Sequence, residues 1–283
     1  VYSLLGNHEV MNMMGDLRYV PAKEFENFAD PNSEKRLKEA FEKWKALQIH
    51  KAKQRKQPEP RFSAQIEAEW LKAHPRGFLE HIDAFAPSGK YGKWLRKQDA
   101  VLELQGNVFL HGGISPKIGS MKISEINDRI RKELQLFDSL KKAMTEEKLI
   151  LPFFTFNEII DVAKEELAIK KKDETLEAFL QLGSWLSINP EGPLWFRGYA
   201  QWTNEELTAS LPSLLNTYKA RRFIVGHTAM KNGEIQSRQN NGVLIIDTGM
   251  NRAVYPEGRP SALEIRGDRL TAVYPDNRVP LTQ

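Results

Sequence analysis

An α/β fold is predicted by three features of this 283-residue chain. Short apolar runs at residues 1–5, 108–110 and 223–225 each stop at a polar residue with glycine beside it. Between them, long stretches repeat apolar residues at helical spacings of three and four. A hydrophobic content of 41% supplies material for a sizeable core. Apolar strands that end in polar groups place those groups at the edge where open α/β sheets keep their ligands.

The first run, Val1-Tyr2-Ser3-Leu4-Leu5, reads as a buried strand ending in Gly6-Asn7-His8-Glu9. Val10 to Met14 then reads as a short helix or loop closed by Gly15, its methionines packed under the strand end. Asp30-Pro31-Asn32-Ser33-Glu34 is a helix start, and the spacing predicts a helix over residues 35–56 with Leu37, Ala40, Phe41, Trp44 and Leu47 on one stripe. Its remaining surface is basic, which suits either a partner-docking surface or a solvated face. A second helix is predicted over 64–73. His50, His74 and His81 lie in or beside these helices, far from any strand end, and read as surface or structural residues.

Residues 87–92 form a turn-rich hinge. Residues 100–104 and 107–110 pair as a hairpin around Gln105-Gly106, and the second strand runs into His111-Gly112-Gly113. Helices follow over about 122–148, 156–182 and 204–218. The rest is strand-rich, at 223–225, 243–246, 262–265 and 270–274, with the first of these running into Gly226-His227-Thr228. No internal repeat or long linker is visible. One domain over 1–283 with a helical insert at 23–100 is the economical organisation.

Composition narrows the function classes. A net charge of +4 is too small to argue for nucleic acid or a membrane surface. The absence of cysteine excludes disulfides, thiolate metal sites and a cysteine nucleophile. No uncharged apolar run approaches the roughly 20 residues of a membrane span. The chain therefore reads as soluble, with cytoplasm and periplasm both open and the oligomeric state unspecified. Residue 1 is valine inside an apparent strand, so the chain is expected to begin downstream of its true N-terminus.

Asn7, His111 and His227 carry the chemistry. An amide oxygen and two imidazole nitrogens suit borderline divalent ions such as Mn²⁺, Zn²⁺ or Fe²⁺. The glycines beside them are expected to let a metal and a phosphate approach the backbone. His8, adjacent to Asn7, suits a general acid that protonates a leaving oxygen, with Glu9 or a group outside the chain as its partner. Arg197, inside the apolar segment Leu194-Trp195-Phe196-Arg197-Gly198-Tyr199, is expected to be buried and to hold either a phosphate or an internal salt bridge. Arg18 is a weaker phosphate candidate beside a structural ion pair. Asp247 is expected either to orient a metal-bound histidine or to cap a turn.

Gly6-Asn7-His8-Glu9, His111-Gly112-Gly113-Ile114-Ser115-Pro116 and Gly226-His227-Thr228 resemble the phosphoprotein phosphatase branch of the calcineurin-like metallophosphoesterases. Tyr91-Gly92-Lys93-Trp94-Leu95, the segment Trp195 to Tyr199, and Ile246-Asp247-Thr248-Gly249-Met250 look closest to the bacterial Shewanella-like protein phosphatases. The resemblance implies a four-layer α/β/β/α sandwich and a centre of two divalent ions, manganese first, with iron or zinc as alternatives. It implies hydrolysis of phosphotyrosine or phosphoserine/threonine in phosphoproteins or phosphopeptides, by in-line attack of a metal-bound hydroxide. It places Asn7, His111 and His227 on the second metal, with His8 as proton donor. The family's two earlier motifs, Gly-Asp-x-His-Gly and Gly-Asp-x-x-Asp-Arg-Gly, would lie upstream of Val1 as part of an N-terminal segment with its own strands. A polypeptide that begins at Val1 is expected to have little activity. A dinucleotide-polyphosphate hydrolase and a non-catalytic binding module are the alternative readings.

Overall fold

The computed structural model describes residues 1–281. Its helices are α1 (Asn7–Met14), α2 (Ser33–Gln54), α3 (Ala64–Ala73), α4 (Phe78–Phe85), α5 (Gly92–Leu95), α6 (Ile123–Glu146), α7 (Phe156–Lys170), α8 (Glu174–Leu180), α9 (Gly198–Gln201) and α10 (Asn204–Tyr218). Its strands are β1 (Val101–Leu104), β2 (Asn107–Leu110), β3 (Arg222–Val225), β4 (Gln236–Arg238), β5 (Val243–Ile245), β6 (Ala262–Arg266), β7 (Arg269–Val273) and β8 (Arg278–Pro280). The chain divides into two compact units. One comprises residues 1–7, 98–132 and 183 onward; the other comprises 8–97 and 133–182. The segment 23–100 thus falls mostly in the second unit, together with 133–182.

The first unit holds both sheets. A five-stranded sheet runs β1-β2-β3-β5-β4, with β2, β3 and β5 parallel and the edge strands β1 and β4 antiparallel to their neighbours. A three-stranded antiparallel sheet runs β6-β7-β8. The central strand β3 is buried along its whole length, as a strand covered on both faces must be. Ile224 and Leu244 of the first sheet pack with Leu270, Leu263 and Ile265 of the second, so the sheets meet face to face. The β1–β2 hairpin turns at Gln105 and Gly106, with φ of 54° and 77°, the left-handed pair that a two-residue hairpin requires. Buried Asn127 of α6 ties down the start of β1. Its Oδ1 accepts from the Ala100 and Val101 amides at 3.0 Å each, and its Nδ2 donates to the Val101 carbonyl at 2.8 Å.

The strand expected at residues 1–5 is reduced to one parallel bridge, Leu4 to Asp99, with the Leu5 amide donating to the Asp99 carbonyl at 2.9 Å. Leu5 is buried while Val1 and Tyr2 are exposed. The extended stretch meets its neighbour only ahead of β1, and Asn7 already opens α1, so no ladder develops.

The second unit is helical. Phe25, Leu37, Phe41, Trp70, Phe78 and Ile82 form its core. His74 and His81 belong to that core. His74 stacks on Trp70 with ring centroids 4.0 Å apart, and its Nδ1 lies 2.8 Å from the Trp70 carbonyl. His81 sits among Phe25, Phe28 and Phe85. Arg36 of the basic α2 pairs with Glu80 and Asp30, and Arg55, just past its end, with Glu166. Arg18 chelates Asp16 through its Nε, the structural pairing foreseen for it. The single helix expected over 156–182 is broken. Lys171 adopts φ 62° and closes α7, and the Asp173 carboxylate accepts from the Leu176 amide to start α8. Among the described residues, no helix is long and apolar enough to cross a membrane.

Candidate metal centre

β2 and β3 are parallel and in register, Leu110 opposite Val225, so the residues that follow them leave the sheet at the same edge. The Gly226 amide donates to the His111 carbonyl at 2.8 Å and extends the pairing past both strands. Asn7, 3% exposed, reaches the same point from the segment that bridges to Asp99.

Three lone-pair donors converge there. His111 Nε2 lies 2.7 Å from Asn7 Oδ1 and 3.0 Å from His227 Nδ1. The two imidazole rings are 4.8 Å apart and tilted by 58°. Nε2 carries at most one proton, which cannot serve both contacts well. A cation at the common point would satisfy all three atoms. With metal–ligand distances of about 2.1 Å, neighbouring ligands at right angles lie about 3.0 Å apart, close to the spacing found. The residues present therefore fit a borderline divalent ion. Among the described residues no group of three or more His, Cys, Asp or Glu side chains is placed to hold a metal. The constellation is one amide and two imidazoles without a carboxylate.

His227 adopts φ +64°, a left-handed backbone that is costly for a residue with a Cβ. Arg197 holds that backbone. Its Nη1 donates to the His227 carbonyl at 2.7 Å and to Thr228 Oγ1 at 3.1 Å. The Trp195 ring meets the His227 imidazole edge-on at 5.9 Å.

Several expectations change here. Arg197 is exposed, not buried, because its apolar neighbours Phe196 and Tyr199 turn inward at the start of α9 while its guanidinium reaches outward to the His227 turn. Asp247 caps a turn, one of the two roles expected of it: its Oδ1 accepts from the Gly249 amide at 3.0 Å and its carbonyl from the Met230 amide at 2.9 Å. Gly112 and Gly113 are small for packing rather than for metal approach. A Cβ at Gly112 would stand 2.9 Å from the Pro193 and Phe196 carbonyls, and one at Gly113 would stand 2.7 Å from the Phe196 ring. A Cβ at Gly226 would meet only the His111 carbonyl at 3.6 Å, an ordinary contact. His8, next after Asn7 on α1, is exposed, with its ring 5.2 Å from that of Tyr19.

Thr228 and Trp195 stand inside motifs quoted from the sequence without a role of their own, and Pro193 was not singled out. Pro193 accepts from the Gly112 and Gly113 amides through its carbonyl at 2.8 and 3.2 Å. The signal available was the pairing of Gly112-Gly113 with an equally compact Pro-containing segment before Trp195. A cavity of about 540 Å³ opens beside Arg197, walled by Trp195, Phe196, Trp202 and Pro190.

No family model matches the chain. It is 22% identical over 277 residues to Shewanella-like protein phosphatase 1 of Plasmodium berghei, covering 96% of this chain and 54% of the relative. It is 24% identical over 287 residues to Shewanella-like protein phosphatase 2 of Arabidopsis thaliana, covering 98% and 60%. An uncharacterised protein of Schizosaccharomyces pombe is 26% identical over 253 residues, covering 88% and 51%. The chain spans between half and three-fifths of the length of these relatives. Its fold matches the crystal structure of the cold-active protein-tyrosine phosphatase of a psychrophilic Shewanella species, with a TM-score of 0.54 at 20% identity over 100% of this chain and 59% of that one.

Proposed function

We propose that this relative of the Shewanella-like protein phosphatases is a metal-dependent phosphomonoester hydrolase acting on phosphoproteins. The observation that carries the reading is the convergence of Asn7 Oδ1, His111 Nε2 and His227 Nδ1. In this reading those three residues hold one of two divalent ions, manganese first. The bound metal supplies Lewis-acid polarisation of a phosphoryl oxygen. His8 carries the proton that neutralises the leaving oxygen. Arg197 binds the phosphate. Among the described residues only its Nη1 is engaged, on His227 and Thr228, so Nε and Nη2 suit two phosphoryl oxygens in the bidentate manner of guanidinium groups. The aromatic walls beside Arg197 suit the ring of a phosphotyrosine better than an aliphatic phosphoserine. The two facing sheets support the four-layer calcineurin-like sandwich, as a single phosphoesterase domain with residues 23–100 as its helical insert.

The test is a manganese-dependent assay of the full natural polypeptide that carries this sequence, against p-nitrophenyl phosphate, phosphotyrosine and phosphoserine peptides, and diadenosine tetraphosphate. Release of phosphate from phosphotyrosine peptides, lost in the His111→Ala variant, is expected. Turnover of diadenosine tetraphosphate alone would replace the reading with a dinucleotide-polyphosphate hydrolase. No turnover of any substrate would leave a binding module.

A further inference from the structure

The helical unit contains a cavity of about 520 Å³ bounded by α2, the loop over residues 57–62, and α7. Lys51 of α2 lines it. This lysine is 7% exposed, and its side chain has no hydrogen bond or ion pair among the described residues. Its stem is buried while its ammonium is not sealed from solvent, so the charge faces the open cavity. The neighbouring carboxylates do not serve it, because Glu166 and Glu165 are taken by Arg55. Burial pushes the Lys51 pKa down, with Arg55 acting in the same direction and Glu166 and Glu165 against it.

The rest of the lining has two characters. Trp44 and Phe62 meet edge-to-face at 5.6 Å, and Pro58 and Pro60 lie on the same loop as Phe62. This is a wall for a flat apolar body. Glu158, Asp161 and Glu165 also line the cavity, as do Arg55 and Arg61. With Arg55 held by Glu165 and Glu166, the cations and carboxylates of the lining balance, and a ligand with a single negative charge is matched by the Lys51 ammonium.

We propose that this cavity is a binding site for an aromatic monocarboxylate, its carboxylate on Lys51 and its ring against Trp44 and Phe62. The site shares no residue with the metal centre and is independent of the proposed hydrolase activity.

The probes are naphthoate and its neutral isostere naphthylmethanol, titrated into the protein in the presence of EDTA so that metal sites are emptied. Binding is followed by calorimetry and located by nuclear Overhauser contacts. Naphthoate is expected to bind roughly tenfold tighter than the alcohol, the scale of one charge-assisted hydrogen bond. Its ring protons are expected to contact Trp44 and Phe62. In Lys51→Met, which keeps the apolar stem, the preference for the anion is expected to vanish. Equal affinity for the two probes, an anion preference that survives in Lys51→Met, contacts that miss Trp44 and Phe62, or no binding of either probe would each overturn the proposal. The wild-type comparison decides by itself if the variant does not fold.

Discussion

The buried His81 makes the stability of the helical unit depend on pH in a calculable way. The side chain is 3% exposed and caged by Phe25, Phe28 and Phe85, with ring centroids at 5.2, 4.7 and 4.8 Å. Its Nδ1 is buried without a hydrogen-bond partner among the described residues. Burial pushes its pKa down to about 4, against an ordinary value near 6.5. Between these two values the unfolded chain binds a proton that the native state refuses. Stability is therefore full above about pH 6.5 and falls as pH drops towards 4. Linkage over that interval amounts to about 3 kcal/mol in total, of which about 2 kcal/mol is already lost by pH 5. Urea denaturation of the wild type and of His81→Leu at pH 7.5 and pH 5 measures this. Carboxylates and His74, itself shifted down by burial, titrate in both proteins and cancel in the difference. The wild type is expected to lose about 2 kcal/mol more than the variant across the interval. Parallel losses would refute the reasoning, since His81 would then accept its proton equally in both states.

Three further predictions concern the sheet unit. Gly113→Ala sets a Cβ 2.7 Å from the Phe196 ring and 3.2 Å from Tyr199, and is expected to lower unfolding stability by about 1–3 kcal/mol, read as a drop in Tm by calorimetry. Asn127→Ala strips the Ala100 and Val101 amides of their acceptor in a buried place and is expected to cost about 3 kcal/mol in denaturant unfolding. Arg197→Ala removes the clamp on the His227 turn and the proposed phosphate contact. It is expected to cut kcat/KM by about ten- to a hundredfold, with Arg197→Lys only partly restoring it because an ammonium group cannot chelate.

Much of this arrangement was legible because it rests on short-range rules. The Gln105-Gly106 turn demanded left-handed backbone and named its hairpin. The apolar stripes of α2, α3 and α10 repeat at helical spacing, and their predicted bounds lie close to the observed ones. Asn7, His111 and His227 could be grouped because strands deliver the residues after them to one edge. What escaped depended on tertiary context. The first apolar run has strand composition but finds only Asp99 as a partner. The polar β4 and the exposed β8 carry no apolar alternation to announce them. The Lys170-Lys171-Lys172-Asp173 stretch hid a cap, because lysine has no particular leaning to the left-handed conformation that Lys171 adopts. Arg197 looked buried because its neighbours are apolar, yet a side chain next to buried ones can point the other way. The glycine pair after His111 was read as room for a ligand when the room is filled by Phe196 and Pro193.

The central claim is that Asn7, His111 and His227 are ligands of one divalent ion. Crystals grown with Mn²⁺ and measured above and below the manganese absorption edge test it directly. An anomalous peak is expected about 2.0–2.3 Å from Asn7 Oδ1, His111 Nε2 and His227 Nδ1 together. A peak elsewhere, or none while His111 keeps its contacts to Asn7 and His227, would contradict the account.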